Sequence, residues 1–304
     1  GSRAPEHRRR RERRSGVAKE KLVPPRKLIT NTIERVGREH GMRRVWEDWI
    51  EGMALAWANV LGNADPDWRD DAWRDREARY LRLVERYGAA SWRELARLAQ
   101  VFPDVLEELE TGSPDGAAAT RKHGWEGGGD PLGELYMTLD FGNERMGQFF
   151  TPWDICLLNA RMILGSAEEL AGEIEGKGWS TIDAPACASA THLLAACWVA
   201  REHGLNPQRH VGFHGTDLSG VAAQMAYVNL AARGLPGMIV HGNSLTVQTF
   251  EVWRTPAWIL GRWERRLPPL ERVDEPAPLA EMAEPPARTK ARRPREVPGQ
   301  GSLF

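Results

Sequence analysis

A short loop of small residues is the part of the sequence best suited to binding a ligand. Residues 183–191 read Asp-Ala-Pro-Ala-Cys-Ala-Ser-Ala-Thr, between an apolar run at 180–183 and a helical pattern that starts near 189. Small side chains let a backbone approach a ligand closely, and the amide groups of a helix N-terminus attract an electron-rich acceptor. The pattern predicts a pocket for a nucleotide-like cofactor. Tight packing of the helix on a sheet is the alternative use of the same residues.

An acidic residue follows the next predicted strand. Asp217 comes directly after an apolar run at 210–216, where a carboxylate can accept hydrogen bonds from ribose hydroxyls. Asp217 could instead share with Ser219 the capping of the following helix. The loop lacks the G-x-G-x-x-G pattern of dinucleotide-binding folds, so an NAD enzyme is the weaker hypothesis.

The remaining reactive residue types do not form a recognised site. The histidines have no H-E-x-x-H spacing, and Cys156, Cys187 and Cys197 are odd in number and at least ten residues apart. We therefore predict reduced thiols and no structural metal. Cys187 at a helix N-terminus should have a lowered thiol pKa, although no partner for nucleophilic catalysis is evident in the sequence.

The elements that must position the loop and the acid follow a βαβαβ order. Strands are predicted at 180–183, 210–216 and 237–241, with helices from about 189 to 203 and from 219 to 233. This alternation is typical of a parallel sheet with helical crossovers. A fourth strand is predicted at 248–253.

The first third of the chain has helical periodicity. Apolar residues at 42–61 recur every three or four positions, and the tryptophans among them are predicted to lie in the core. A second helix should be capped by Asp65 or Asp67, and a third should begin at Ser91 and end at Pro103.

These patterns divide the 304 residues into four segments. They are a disordered basic arm at 1–27, a helical N-terminal domain and linker at 28–129, an α/β domain at 130–267 and a disordered proline-rich tail at 268–304. A composition of 41% hydrophobic and 27% charged residues excludes a collagen-like or wholly disordered chain. No stretch is apolar enough for a membrane span or a signal peptide, so we expect a cytoplasmic protein.

Charge is balanced overall but concentrated locally. The chain has 41 basic and 42 acidic residues, yet residues 1–14 hold seven arginines against two glutamates and residues 288–295 hold five basic residues without an acid. Contact with nucleic-acid phosphates and a purely solvated role are both open for these segments.

Several motifs together resemble those of one enzyme family. Residues 147–152, Gly-Gln-Phe-Phe-Thr-Pro, closely resemble the G-Q-F-[FY]-T-P signature of N-6 adenine DNA methylases related to the modification subunits of type I restriction systems. Residues 185–190 resemble the P-A-C-G-S-G methyl-donor loop of that family, Asp217 matches its ribose acid, and residues 242–245 resemble its G-N-S-L. The resemblance covers about 130–267 and implies an α/β, Rossmann-like S-adenosylmethionine-dependent methyltransferase core preceded by a helical domain.

The resemblance also implies a reaction and a set of site residues. The reaction is methyl transfer from S-adenosylmethionine to the exocyclic nitrogen of an adenine turned out of the DNA stack. The cofactor-binding residues would be Phe150, Thr151, Asp183, Pro185, Ala186, Cys187, Asp217 and Asn243.

Two departures from the family pattern bear on activity. Ala188 and Ala190 replace the two glycines of the donor loop, which should weaken cofactor binding if either position needs a positive φ. The catalytic [ND]-P-P-[FYW] motif is absent, and the nearest string is 255–258, in which Thr255 and Pro256 would hold the target amine and Trp258 would stack on the base. A catalytically inactive, methylase-like DNA-binding protein is therefore the alternative.

The α/β segment is also short. Only 22 residues separate Leu245 from Pro268, which predicts a truncated sheet with an open edge where another chain, such as a second copy, could pair. The N-terminal helices could cover that edge instead.

Residues 300–304 form a separate motif. They read Gln-Gly-Ser-Leu-Phe and resemble the Q-L-[SD]-L-F peptides that dock bacterial DNA-processing proteins on the replicative sliding clamp. Gln300 would make hydrogen bonds while Leu303 and Phe304 would fill an apolar cleft. Gly301 stands where leucine is usual, and a chance sequence is an equally open interpretation.

Overall fold

A computed structural model describes residues 23–111, 129–141 and 151–266, all within one compact unit. The helices are α1 (Pro25–His40), α2 (Met42–Ala58), α3 (Val60–Ala64), α4 (Asp71–Thr111), α5 (Pro131–Thr138), α6 (Trp153–Leu164), α7 (Ala167–Lys177), α8 (Thr191–Glu202), α9 (Pro207–His210), α10 (Gly220–Ala231) and α11 (Pro256–Leu260). The strands are β1 (Ser180–Ala184), β2 (Val211–Asp217), β3 (Gly237–Asn243) and β4 (Gln248–Arg254), and short 3₁₀ turns lie at Pro66–Trp68 and Trp263–Arg265.

The helices of the first third pack around α2. Its apolar stripe is buried against α1 and α4, and α2 also contacts α10 of the α/β segment. Trp46 and Trp49 are buried there, which confirms their predicted core role, whereas Trp57 is only partly buried. The division of this unit into two domains at residue 129 stays a prediction.

Helix α1 begins inside the predicted arm. It starts at Pro25, where the missing amide hydrogen costs nothing because the first helical amides have no partner within the helix. The boundary at residue 27 was therefore too late. The rest of the arm at 1–22, the linker at 112–128 and the tail from 267 onward lie outside the described residues.

The long helix α4 differs from the prediction at its start. The carboxylate that caps it belongs to Asp70, whose Oδ1 accepts from Trp73 N at 2.7 Å. Asp65 instead caps the preceding 3₁₀ turn by accepting from Asp67 N at 3.0 Å.

The predicted boundaries at Ser91 and Pro103 were both wrong. The break in α4 falls at Gly88, which has φ 72° and ψ 155°, a conformation without steric cost for a residue that has no Cβ. The helix then continues through Pro103 to Thr111. Phe102 and Val105 beside the proline are buried, so their packing outweighs the helix-breaking tendency of proline.

The four predicted strands form one sheet in the order β1-β2-β3-β4. β1 pairs parallel with β2, and β2 pairs parallel with β3, as the βαβαβ pattern predicted. β4 returns antiparallel along β3. β1 is consequently the outer strand on the other side of the described sheet.

Different elements cover the two faces of the sheet. Phe213 and Ile239 lie in the main core on the face of the crossover helices α8 and α10, and α6 packs on α8. On the opposite face, Met238 packs with Trp258 and Trp263. Gly212 is required there, because a Cβ at this position would lie 2.7 Å from the Trp263 ring.

The parallel strands bring three polar or loop positions to one edge. β1 ends at Ala184, β2 at Asp217 and β3 at Asn243, and ligands of open α/β sheets bind outside the carboxyl ends of the strands.

No described helix combines the length and apolar character needed to cross a membrane.

Candidate functional site

The loop after β1 has an unusual backbone conformation. Cys187 N donates to Thr216 O at 2.9 Å and Ala190 N donates to Cys187 O at 2.8 Å, which folds the loop against the end of β2. Ala188 has φ 47° and Ala190 has φ 79°, so both alanines occupy the left-handed region that favours glycine. Both positions thus have the positive φ at which alanine in place of glycine is expected to weaken cofactor binding.

Asp217 is held directly against this loop. Its Oδ2 accepts from Ala188 N at 2.8 Å and its Oδ1 accepts from Ser219 N at 2.8 Å. An ionised carboxylate has about four acceptor sites, so each oxygen still has one for a ligand hydroxyl. Ser219 Oγ accepts from Ala222 N at 3.4 Å and caps α10. Asp217 thus orients the loop and supports the cap, and it can still bind a ligand.

Asn243 lies at the same edge of the sheet. Asp217 is in register with His241, two residues before Asn243. The Asn243 side-chain oxygen accepts from Leu245 N at 3.0 Å and from Thr246 N at 3.3 Å, which orders the turn into β4. Because its oxygen is used in this turn, a ligand at this edge would meet its amide nitrogen.

The predicted residues next to β1 are accessible. Pro185 and Ala186 are exposed, and Asp183 is exposed as well and contacts His214 through Oδ1 and Nδ1. All three line an apolar cavity of about 270 Å³ between β1, α6 and α8. Thr151 lies just before α6, where its carbonyl accepts from Cys156 Sγ at 3.7 Å. Phe150 lies outside the described residues.

Cys187 does not have the lowered thiol pKa that its position suggested. Its side chain is buried, and this burial, together with the negative charge of Asp217, raises the pKa of the thiol. Loss of hydration outweighs the favourable amides of the helix N-terminus. Cys187 therefore serves the loop by packing: a Cβ at Gly215 would lie 2.9 Å from the Cys187 Cβ, so only glycine fits below it.

Thr255, Pro256 and Trp258 are not brought to this edge. β4 runs antiparallel to β3 and carries the chain back to the amino end of β3, where Thr255 N donates to Gly237 O at 2.9 Å. Gly237 and Asn243 are six residue steps apart along β3, which is about 20 Å at about 3.3 Å per residue. Thr255, Pro256 and Trp258 thus lie at the end of β3 opposite to Asn243, and their catalytic role stays a prediction that this position does not favour.

Thr255 and Trp258 instead have clear structural roles. Thr255 Oγ1 accepts from Gly237 N at 2.9 Å and from Trp258 N at 3.2 Å, and it donates to Leu235 O at 2.8 Å. Both side chains are buried, and the Trp258 ring stacks on Trp263 with the centroids 6.1 Å apart. A nucleic-acid base therefore has no access to Trp258.

Sequence reasoning missed Asp130, which is fully buried beneath the loop. Its carboxylate accepts from Gly133 N and Thr191 Oγ1, both at 2.8 Å, and also from Ser189 Oγ. Burial raises the pKa of Asp130, and these hydrogen bonds oppose the shift. The only sequence signal was an aspartate before a proline at a predicted segment boundary, which is typical of a helix start.

Within the described residues, no group of three or more histidine, cysteine, aspartate or glutamate side chains is arranged to hold a metal ion. The three cysteines, Cys156, Cys187 and Cys197, are free and buried.

Comparison with known proteins finds a family that is similar to the segment containing this site. A search of curated proteins returns no match for the chain. The family model described as N-6 DNA Methylase matches residues 130–261, which run from Asp130 through the loop, Asp217 and Asn243 to the end of α11. The match supports DNA N6-methylation in general as the activity of this segment. The α/β part of this chain, residues 130–261, is therefore similar to the N-6 DNA methylase family.

Proposed function

We propose that this protein is a DNA adenine-N6 methyltransferase that uses S-adenosylmethionine. The observation that carries the proposal is the contact between Ala188 N and Asp217 Oδ2 at the carboxyl ends of β1 and β2, inside the segment matched by the family. It joins the small-residue loop and the acid, which are the two features that a nucleotide-like cofactor needs.

The residues at this edge fit such a cofactor. Asp217 would accept hydrogen bonds from the ribose hydroxyls, since each oxygen keeps an acceptor site. The exposed backbone at Pro185 and Ala186 would pass beside the cofactor, with Cys187 packing the loop from below, and the Asn243 amide would face the adenine ring.

Other positions complete the proposed pocket. Phe150 and Thr151 would line its methionine end, with Asp183 next to it. S-adenosylmethionine would supply the methyl group. The three parallel strands lie in the order β1-β2-β3, and α8 and α10 are the crossover helices between them. This arrangement supports a Rossmann-like core with a truncated sheet.

A second candidate is a methylase-like protein that binds DNA without turnover. The position of Thr255 and Trp258 at the opposite end of β3 favours it, because the predicted base-holding residues are then remote from the cofactor edge. The sequence contains no [ND]-P-P-[FYW] string that could replace them.

Two measurements separate these functions. Calorimetry with S-adenosylmethionine tests the pocket, using the wild type, Asp217→Ala and the exposed control Asp67→Ala. Incubation with labelled S-adenosylmethionine and unmethylated DNA, followed by a nucleoside digest, tests for N6-methyladenine. Binding that depends on Asp217, together with N6-methyladenine, supports the methyltransferase. Binding without methylated product supports the second candidate, and equal affinity of wild type and Asp217→Ala contradicts the assigned pocket.

We further propose that the protein acts on DNA in the cytoplasm, in restriction-modification or a related process. The arginine-rich residues 1–14 and 288–295 would contribute phosphate contacts. Neither segment belongs to the described residues.

Residues 300–304 would tether the protein to the replicative sliding clamp, which would raise its local concentration on DNA. These residues lie outside the described part of the chain. A fluorescent peptide of residues 295–304 titrated with bacterial clamp tests this, with the double change Leu303→Ala and Phe304→Ala as the control. Equal binding of the two peptides would contradict the clamp proposal.

A further inference from the structure

The Asp130 side chain lies at the centre of a network of buried hydrogen bonds. Its side chain is fully buried, and four hydrogen-bond donors from three parts of the fold converge on it. These donors are Gly133 N of α5 at 2.8 Å, Ser189 Oγ, Thr191 Oγ1 at 2.8 Å, and Asn229 Nδ2 of α10 at 2.8 Å. Four donors match the four acceptor sites of one carboxylate.

Two of those donors flank the strained position of the loop. Ser189 and Thr191 lie on either side of Ala190, which has φ 79° and forms the N-cap of α8 without a side-chain hydrogen bond of its own. Asn229 Nδ2 also donates to Ser189 O at 2.9 Å. Ala188, the other alanine with positive φ, is held from the opposite side by Asp217. The loop is thus clamped between two carboxylates.

The surroundings fix Asp130 in this place. A Cβ at Gly133 would lie 2.3 Å from Asp130 Oδ2 and 2.9 Å from Ser189 Oγ, so only glycine fits at that position. Arg233, in the turn just after α10, contacts the same group by donating to Gly129 O at 2.9 Å and to Asn229 O at 3.0 Å. Asp130 therefore connects α5 and α10 to the loop as one rigid group.

We propose that Asp130 is a positioning residue that holds the 185–191 loop in its ligand-binding conformation. A left-handed alanine is unfavourable by itself, so the hydrogen bonds of the loop must outweigh that strain. The Asp130 carboxyl group supplies them at a fully buried position, where a hydrogen bond is stronger than it is in water. The link to S-adenosylmethionine rests on the proposed function, whereas the effect on the loop does not.

The test compares Asp130→Asn with a matched control. Asp130→Asn keeps the shape of the side chain but replaces one acceptor oxygen by an NH₂ group, which faces hydrogen-bond donors. Thr191→Val is a milder variant that removes only one of the donors. The control is Asp48→Asn, another buried carboxylate, which accepts from Arg86 Nη1 and Tyr87 Oη at 2.7 Å in the helical part. Hydrogen exchange is measured on peptides that cover 185–191 and, as a reference, 237–243.

We expect the amide hydrogen-exchange rate of the 185–191 peptide to rise about tenfold in Asp130→Asn. The rate should rise by less in Thr191→Val and stay unchanged in Asp48→Asn. If the loop exchanges no faster in Asp130→Asn than in Asp48→Asn, the proposal is wrong. This readout needs no ligand, so it decides the positioning role even if the wild type does not bind S-adenosylmethionine, a result that would contradict only the proposed function.

Calorimetry with S-adenosylmethionine provides the second readout. Asp130→Asn should bind about tenfold more weakly, while Asp48→Asn should bind like the wild type even if both variants lose similar thermal stability. Adding Ala188→Gly and Ala190→Gly to Asp130→Asn should restore part of the affinity, because glycine adopts the left-handed conformation without support. Wild-type binding with unchanged affinity in Asp130→Asn would overturn the role of Asp130 and leave the proposed function intact.

Discussion

At the scale of single residues, the two left-handed alanines store strain in the donor loop. Ala188→Gly and Ala190→Gly should each raise the free energy of unfolding by about 1 kcal/mol, because glycine avoids the clash of Cβ with the backbone. Denaturant unfolding of the two variants checks this. The control is Ala186→Gly in the same loop, where φ is not positive, so that glycine should bring no gain. A loss of stability in both loop variants would contradict the observed backbone conformation.

Glu134 of α5 makes a partly buried ion pair with Arg26 of α1, and the titration of Glu134 should be visible in the stability of the protein. Burial raises the pKa of Glu134 from 4.5 to about 6, against the opposing charge of Arg26. The unfolded chain therefore loses this proton at lower pH than the folded protein does, and stability falls as pH rises through this range. The wild type should lose about 2 kcal/mol more than Glu134→Gln between pH 4 and 7.

Denaturant unfolding at several pH values checks the Glu134 prediction. Glu94→Gln is the control, since it removes an ion pair with Arg35 that is exposed and should contribute little to stability. Parallel curves for the wild type and Glu134→Gln would show that Glu134 titrates normally.

At the scale of elements, the β4–α11 segment is a structural cover for the sheet. Thr255→Val should lower the free energy of unfolding by about 2 kcal/mol, because Gly237 N and Trp258 N lose their buried acceptor. Affinity for S-adenosylmethionine should not change, since the proposed pocket lies at the other end of β3. Unfolding and calorimetry are measured together, with the exposed Thr181→Val as control. A selective loss of affinity or methylation without loss of stability would support the catalytic assignment.

The sequence patterns were sufficient for the strands and their crossovers, since apolar runs and helical spacing are local properties. The direction of β4 also follows from the sequence, because the connection between β3 and β4 is too short for a parallel crossover. The loop and Asp217 could be predicted because both follow strands that end at one edge. Asp130 could not, because its partners Thr191 and Asn229 lie far along the chain and meet only after folding.

The thiol of Cys187 shows the same limit. Its place before a helix was visible in the sequence, but the burial that raises its pKa depends on how the loop packs on β2. Likewise, proline normally ends a helix, and only the tertiary packing of Phe102 and Val105 explains why α4 continues through Pro103.

At the scale of the whole molecule, charge distribution should govern contact with DNA. Each phosphate contact contributes a slope of about −0.9 to the dependence of log affinity on log salt concentration. Deleting residues 1–14, which hold seven arginines, should flatten the slope measured by fluorescence anisotropy on duplex DNA. Replacing those arginines by lysine should preserve it, because counterion release depends on charge. A slope that survives the deletion would assign the arm no part in DNA binding.

The outer strand β1 and the neighbouring helix α6 form a surface suited to association. β1 pairs only with β2 among the described strands, and α6 exposes Met162 (74%) and Ile163 (79%) beside the apolar cavity. Two copies related by a two-fold axis could pair their β1 edges and bury both α6 surfaces, giving one continuous sheet. We therefore expect a dimer in sedimentation velocity, which Ile163→Arg should dissociate. The matched control is Leu81→Arg, at an exposed leucine of α4, which should leave the dimer intact. A wild-type monomer at all concentrations would instead mean that this edge stays open or receives a different chain.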